Sequence, residues 1–210
     1  MKKAVIFDMD GVIIQSENLY QKRRELFFEM HHLEVDDAFH EQIIGSNPKE
    51  MFRILFPEDL KKQHDFLSKF NLFKESFSIN YEDILSDHIS IVLTWLKDNN
   101  YKIGLASSGE YPSLIHILET TGLEPYFDVV VSGDDMDESK PSPDVYLEAL
   151  NQLDLQASEC LAIEDSVYGI QAATSAGIEC LALKPKHQKI NQQLATKIIL
   201  SLKEIPLWLS

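Results

Sequence analysis

The sequence is poor in positive charge. Against 34 Asp and Glu residues, the 210-residue chain has only 19 Lys and Arg, and its formal net charge is −15. A strongly acidic surface repels phosphodiesters and anionic lipid headgroups, which argues against a nucleic acid or a membrane as partner. A phosphorylated substrate would therefore have to be bound by a local cation, either a metal ion or a lysine side chain.

Cysteine is scarce, and long apolar runs are missing. The two cysteines, Cys160 and Cys180, lie in the apolar segments ECLAI and ECLAL. Such positions are typical of reduced core residues in a cytosolic protein and exclude a disulfide framework. No apolar run is long enough to cross a bilayer, and no signal peptide precedes the first strand pattern. We expect a cytoplasmic protein that is a monomer or a weak homodimer.

Short apolar runs and helical patterns alternate along much of the chain. With 44% hydrophobic and 25% charged residues, the composition is that of an ordinary globular protein. Five apolar runs have the length of buried strands, and helical patterns separate the last four of them. The runs are KAVIFD (3–8), KIGLASS (102–108), DVVVSG (128–133), CLAIED (160–165) and CLALK (180–184). This alternation predicts an α/β fold, a doubly wound parallel sheet covered by helices on both faces.

Capping residues suggest where several helices begin and end. In SPDVYLEALNQLDL, Ser142 is the predicted N-cap and Pro143 the first helical residue. Glycines at the ends of the patterns, Gly122 and Gly177, predict the C-terminal ends of two other helices. In NPKEMFRILF, Asn47 and Pro48 predict a further helix start.

Residues 15–84 contain helical patterns but no strand pattern. Among them are ENLYQKRRELFFEMHHL, NPKEMFRILF and PEDLKKQHDFLSKFNLFKESF. We interpret this segment as an all-helical domain inserted after the first strand, into a core domain formed by residues 1–14 and 85–210.

Polar side chains follow the ends of four predicted strands. They are Asp8 and Asp10 after the first, Ser107 and Ser108 at the second, Lys140 after the third, and Glu164 and Asp165 at the fourth. In an open parallel sheet the carboxyl ends of the strands meet at one edge, where ligands bind. We therefore expect these residues to converge on a single site.

This set of residues suits phosphoryl transfer. Clustered carboxylates repel one another unless a cation lies among them, and hard oxygen ligands favour Mg²⁺ over Zn²⁺. An aspartate beside Mg²⁺ can attack phosphorus, and a second carboxyl can move protons. Ser107 and nearby amides can bind phosphoryl oxygens, while Lys140 can neutralise the developing charge.

Each of these signals also has an ordinary structural interpretation. Asp-x-Asp-Gly can simply form a turn, and Ser107 alone could cap a helix. Lys140 alone could be a solvated charge, and Glu164–Asp165 could be an acidic helix start. The functional interpretation depends on the joint placement of all of them at strand ends.

The segments DMDGV, ASSG, SKPSPDVYLEAL and AIEDSVYGIQAATSAG resemble, in this order, the four motifs of the haloacid dehalogenase-like superfamily. With its helical insert, the whole chain is similar to the branch that contains β-phosphoglucomutase and many sugar-phosphate phosphatases. The resemblance implies a Rossmann-like core with a helical cap at residues 15–84 that closes over the site.

The resemblance also implies a role for each matching residue. Asp8 would be the nucleophile and Asp10 the general acid and base, while Ser107, Ser108 and Lys140 would bind the phosphate. The Mg²⁺ ligands would be Asp8, the Asp10 carbonyl, Glu164 and Asp165. In the insert, the loop with Gly45, Ser46 and Lys49 would contact the leaving group and set specificity for a small phosphorylated metabolite.

Within this family Asp10 argues against two other reactions. Dehalogenases generally lack the second aspartate, and phosphonate-cleaving members replace it with a small residue. A non-enzymatic phosphosugar-binding protein would normally have lost Asp8 or Asp10. None of these losses has occurred here.

β-Phosphoglucomutase remains the main alternative. Such a mutase must bind a second phosphate, for which the family uses a cap-loop arginine, a Ser-Lys-Asn run after the second-motif serine, and a cap-side histidine. At the matching positions this chain has Lys49, Gly109-Glu110-Tyr111 and Tyr20. Because Glu110 would repel the second phosphate, we expect water to be the acceptor.

Overall fold

A computed structural model describes residues 1–43, 46–77, 79–185 and 190–209. The chain divides into two compact units. One comprises Met1–Gln15 and Tyr81–Ser210, and the other comprises Ser16–Asn80. The assignment of the second unit as a cap stays a prediction.

A six-stranded parallel sheet forms the centre of the first unit. Its strands are β1 (Ala4–Phe7), β2 (Lys102–Ser107), β3 (Val129–Ser132), β4 (Cys160–Glu164), β5 (Glu179–Leu183) and β6 (Lys197–Ile199). They lie in the order β3-β2-β1-β4-β5-β6, and every neighbouring pair is parallel. The predicted α/β Rossmann-like fold is confirmed, and β6 is an additional edge strand.

Both faces of the sheet are covered, which explains why the central strands are continuously apolar. In β1, Val5 and Phe7 belong to one apolar core, and Ala4 and Ile6 belong to the other. Helices α5 (Ile89–Asp98) and α6 (Tyr111–Thr120) contribute to the first core. Helices α7 (Asp144–Leu153) and α8 (Val167–Ser175) contribute to the second. Alternate residues of one strand are thus buried on opposite faces.

The predicted start of α7 is wrong by one residue. The carbonyl of Pro143 accepts the first helical hydrogen bonds, from the amides of Tyr146 and Leu147, so Pro143 is the N-cap. Ser142 instead donates its amide to the Ser139 carbonyl and belongs to the preceding turn.

The second unit is built from α1 (Glu17–Met30), α2 (Asp37–Gln42), α3 (Pro48–Leu55) and α4 (Leu60–Glu75). None of its described residues lies in a strand. Its core is rich in phenylalanine, with Phe27, Phe52 and Phe70 buried against one another. Asn47 caps α3 as predicted, since its side chain accepts a hydrogen bond from the Glu50 amide.

Both cysteines are buried and free, in β4 and β5. Among the helices in the described part of the chain, none combines the length and the apolarity that a membrane crossing would need.

Candidate active site

The site begins where β1 ends. All four residues of β1 are fully buried, and Asp8 continues the strand by donating its amide to the Ile163 carbonyl of β4 at 3.0 Å. A tight turn follows, in which the Gly11 amide donates to the Ile14 carbonyl at 2.7 Å. The buried strand therefore presents the Asp8 carboxylate at the carboxyl edge of the sheet, where only 7% of the residue is exposed.

Lys140 reaches this edge from the segment between β3 and α7. Its buried ammonium donates to Asp8 Oδ1 at 2.8 Å, to the Ala106 carbonyl at 2.9 Å and to Glu164 Oε1 at 2.6 Å. All three protons of the ammonium thus have acceptors, and two of these acceptors are carboxylates. The geometry fixes Lys140 beside the predicted nucleophile.

Glu164, the last residue of β4, is fully buried and surrounded by donors. Its Oε1 accepts from Lys140 and, at 2.7 Å, from the hydroxyl of Tyr146 in α7. Its Oε2 accepts from the Asp165 amide at 3.2 Å. A side chain at Gly169 would overlap this carboxylate, so glycine is required there. These contacts satisfy the buried charge.

The described residues include one cluster of carboxylates that could bind a metal ion. Asp8, Glu164 and Asp165 each offer a ligand oxygen, and these oxygens lie within 4.8 Å of one another. Gly11 packs against the Asp165 carboxylate so closely that a Cβ would overlap it. An all-oxygen donor set with strong mutual repulsion fits a hard divalent cation.

The pKa values of the cluster also favour a bound cation. Burial raises the pKa of Asp8 to about 8, and the charge of Glu164 acts in the same direction. Burial lowers the pKa of Lys140, but the charges of Asp8 and Glu164 outweigh it and leave this pKa above its usual value. Without a further cation, the Asp8 carboxylate is thus disfavoured, and a divalent ion would restore it.

The two serines predicted to bind phosphate lie at the end of the neighbouring strand β2: Ser107 is its last residue and Ser108 follows it. Ser107 is buried, and its Oγ accepts the Gly109 amide at 3.2 Å. The Oγ of Ser108 is buried and has no hydrogen-bond partner among the described residues. Ser132, at the end of β3, donates to the Gly109 carbonyl at 2.7 Å and so ties this loop to the sheet.

The remaining predicted residues lie outside the carboxylate cluster. Asp10 is near enough for its charge to raise the pKa of Asp8. Ser46 and Lys49 belong to the second unit, where Ser46 Oγ donates to the Ile43 carbonyl at 2.7 Å and Lys49 is exposed. Gly45 lies outside the described residues.

A family model described as "Haloacid dehalogenase-like hydrolase" matches residues 5–183, most of the chain. The chain belongs to this family. The hydrolase is 35% identical over 189 residues to YhcW of Bacillus subtilis (strain 168), covering 89% of this chain and 85% of that protein. It is 32% identical over 181 residues to a protein of Thermotoga maritima named "Phosphorylated carbohydrates phosphatase", covering 84% of this chain and 82% of that one.

Solved structures agree on the fold. The β-phosphoglucomutase of Clostridium difficile superposes with a TM-score of 0.82, covering 99% of this chain and 96% of that one, at 22% identity. At so low an identity the likeness is one of fold. Together, the family match and the relatives make this chain an enzyme of the haloacid dehalogenase-like type.

Sequence reasoning missed three polar residues that support the site: Tyr146, Ser132 and Gln192. Tyr146 donates to Glu164, Ser132 to the Gly109 carbonyl, and Gln192 to the main-chain carbonyl of Asp165. Tyr146 could have been suspected, because a tyrosine on the buried face of a helix normally finds a hydrogen-bond partner. Ser132 lies at a strand end, as Ser107 does, but has no counterpart among the motifs. Gln192 follows β5 in a segment without any recognisable pattern, so no signal in the sequence indicates it.

Proposed function

We propose that this hydrolase is a Mg²⁺-dependent phosphatase of a small phosphorylated metabolite, most simply a phosphorylated carbohydrate. One observation supports this above the others. The Asp8 carboxylate lies 2.8 Å from the Lys140 ammonium and shares a cluster with Glu164 and Asp165. A buried nucleophile beside a fixed cation, among acidic metal ligands, is suited to attack on phosphorus.

In the proposed mechanism one Asp8 oxygen attacks the phosphorus atom, and the bond to the leaving oxygen breaks. Asp10 donates a proton to that oxygen, and the alcohol leaves. Asp10 then takes a proton from water, which attacks the aspartyl phosphate and releases inorganic phosphate. The same carboxyl thus acts as acid and then as base, and Asp8 is regenerated.

The hydroxyls of Ser107 and Ser108 would bind the phosphoryl oxygens, and the Lys140 ammonium would neutralise their charge from its place beside Asp8. Lys140 is restrained by three hydrogen bonds, so its charge is already oriented before the substrate binds. Asp8, Glu164, Asp165 and the carbonyl of Asp10 would hold Mg²⁺, which when bound neutralises carboxylate and phosphoryl charge.

The name of one relative and the charge of the chain support the proposed substrate class. The Thermotoga maritima relative acts, by its name, on phosphorylated carbohydrates. An acidic chain suits a small phosphate ester better than a polyanion, because the repulsion grows with the charge of the ligand. The assignment of Gly45, Ser46 and Lys49 to recognition of the leaving group stays a prediction.

The substitution Asp8→Asn tests the mechanism. With Mg²⁺ and a panel of sugar phosphates, we expect phosphate release to fall by about a thousandfold or more, because the amide cannot form the acyl phosphate. Asp154→Asn makes the same chemical change at an exposed position and should retain activity. An Asp8→Asn variant with wild-type turnover would refute the proposal.

The mutase alternative requires a separate assay. Conversion of β-glucose 1-phosphate to glucose 6-phosphate, with a bisphosphate primer, is compared with phosphate release from the same substrate. We expect hydrolysis to dominate, because an exposed acidic residue, Glu110, is the N-cap residue of α6 and directly follows the second-motif loop. Faster isomerisation than hydrolysis would establish the mutase reaction instead.

A further inference from the structure

The buried side-chain amide of Gln192 donates two hydrogen bonds at the carboxyl edge of the sheet, next to the carboxylate cluster. It lies between β5 and β6, and only 4% of the residue is exposed. Its Nε2 donates to the Asp165 carbonyl at 2.7 Å and to the Leu183 carbonyl at 2.8 Å. Because a side-chain amide has two N–H groups, both donors are used. The adjacent Gln193 is exposed.

The two acceptors lie where strands β4 and β5 stop pairing. Glu164 and Ala182 are the last paired residues of the two strands. Asp165 follows directly after this pair on one strand, and Leu183 follows on the other. A main-chain carbonyl removed from water needs a donor. Gln192 supplies one to each strand and so joins them one step beyond the last pair.

This bridge acts on a residue of the carboxylate cluster. The Asp165 amide donates to Glu164 Oε2 at 3.2 Å, and the Asp165 carbonyl accepts from Gln192. The main chain of Asp165 is therefore held on both sides, while its carboxylate contacts Gly11 and shares the cluster with Asp8.

We propose that Gln192 is a positioning residue that holds the Asp165 main chain so that its carboxylate remains in place to bind the divalent metal. The inference rests on the metal dependence in the proposed function. Partners that orient a metal ligand without touching the metal typically change metal affinity by about 10–100-fold when they are removed.

The test compares Gln192→Met with Gln193→Met. Methionine keeps the length and flexibility of glutamine but has no donor, and the second substitution makes the same change at the exposed neighbour. Each protein is stripped of metal with a chelator and titrated with MgCl₂. The first readout is the rise in unfolding temperature, and the second is the Mg²⁺ concentration giving half-maximal hydrolysis of p-nitrophenyl phosphate.

For Gln192→Met we expect the half-saturating Mg²⁺ concentration to rise by about tenfold or more in both measurements. At saturating Mg²⁺, kcat should stay within about twofold of the wild-type value, because the reacting groups are unchanged. Gln193→Met should behave like the wild type. A purely structural role for Gln192 would lower the unfolding temperature of the metal-free protein without changing the Mg²⁺ titration, and that result would overturn the inference.

A second variant keeps the inference testable if Gln192→Met does not fold. Gln192→Asn retains the amide but is one methylene shorter, so it cannot reach both carbonyls. A weaker Mg²⁺ response is expected, and an unchanged one would overturn the inference. If the wild-type protein itself shows no Mg²⁺ response, the proposed function fails as well. A normal wild-type response with an unaltered response in the variants would refute only the role of Gln192.

Discussion

At the scale of single residues, a close contact between the main chain of Gly11 and the carboxylate of Asp165 shapes the site. Gly11 has a φ of +80°, a conformation that L-residues with side chains rarely adopt, and its Cα lies against the Asp165 carboxylate. Gly122 has a similar φ of +67°, but apart from its chain neighbours no atom of the described residues lies within 4 Å of the position of an added Cβ. Substitutions at these two glycines therefore distinguish the effect of backbone strain from the effect of contact with the carboxylate cluster.

Gly11→Ala should therefore impair the enzyme more than Gly122→Ala does. At either position the left-handed conformation is expected to cost about 1–2 kcal/mol of folding stability. Only at Gly11 must the methyl group also displace Asp165, so we expect phosphate release to fall by about tenfold or more in this variant alone. Urea denaturation and Mg²⁺-dependent turnover of both variants provide the comparison. Equal activity of the two variants would contradict the described packing.

The buried Asp8 also predicts a dependence of stability on pH. Its pKa is about 8 in the folded metal-free protein, against 3.8 for the ordinary side chain, because of burial and the charge of Glu164. Between these values the folded state binds a proton that the unfolded state releases. The free energy of unfolding should therefore fall as pH rises from about 4 to about 8.

Thermal unfolding of the metal-free protein across this pH range measures the effect, with Asp8→Asn as the control that removes the titrating group. As pH rises, we expect the wild type to lose stability relative to the Asp8→Asn variant. Mg²⁺ competes with the proton, so it should stabilise the wild type more at pH 8 than at pH 5. A pH-independent difference between the two proteins would contradict the raised pKa.

At the scale of helices and strands, the sequence predicted the long, regular elements better than the short ones. The five predicted strands formed because their apolar runs are buried on both faces. β6 was missed because it has only three residues, of which Lys197 and Ile198 are exposed. α2, with six residues, was not predicted either. The error at Ser142 arose because a serine before a proline matches a helix start, whereas the local chain forms a turn first.

The cap of α3 provides a test at this scale. Asn47 Oδ1 accepts the Glu50 amide at 2.8 Å, so Asn47→Ala leaves an amide of the first turn without this acceptor. We expect a loss of about 1 kcal/mol in the free energy of unfolding, measured by urea denaturation. Asn47→Asp keeps an acceptor at the same place and should lose much less. Equal destabilisation by both substitutions would mean that the cap is not the cause.

At the scale of the whole molecule, the net charge of −15 opposes the approach of a negatively charged substrate to the site. A phosphorylated substrate must approach an acidic protein before it reaches Lys140. Salt screens this long-range repulsion, but it affects contacts within the buried cluster much less. The two effects can be separated by varying ionic strength.

We expect kcat/KM for a sugar phosphate to rise as KCl is increased from about 10 mM to about 150 mM, because the Debye length shortens to about 8 Å. Mg²⁺ is kept saturating throughout, so that weaker metal binding does not mask the effect. Unfolding temperatures at both salt concentrations serve as the control for stability. A fall in kcat/KM would contradict the expected long-range repulsion between the chain and its substrate.

The sequence by itself determined the fold class and most of the candidate site. Continuously apolar strands separated by helices can bury themselves only in a covered parallel sheet, and such a sheet brings Asp8, Ser107 and Glu164 to one edge. Only the tertiary structure decided which polar groups contact Glu164 and the main chain of Asp165. Tyr146 and Gln192 come from segments 18 and 27 residues away from their partners, Glu164 and Asp165. Periodicity in a sequence indicates which residues are buried, but it does not indicate which polar groups form hydrogen bonds once the helices and strands have packed.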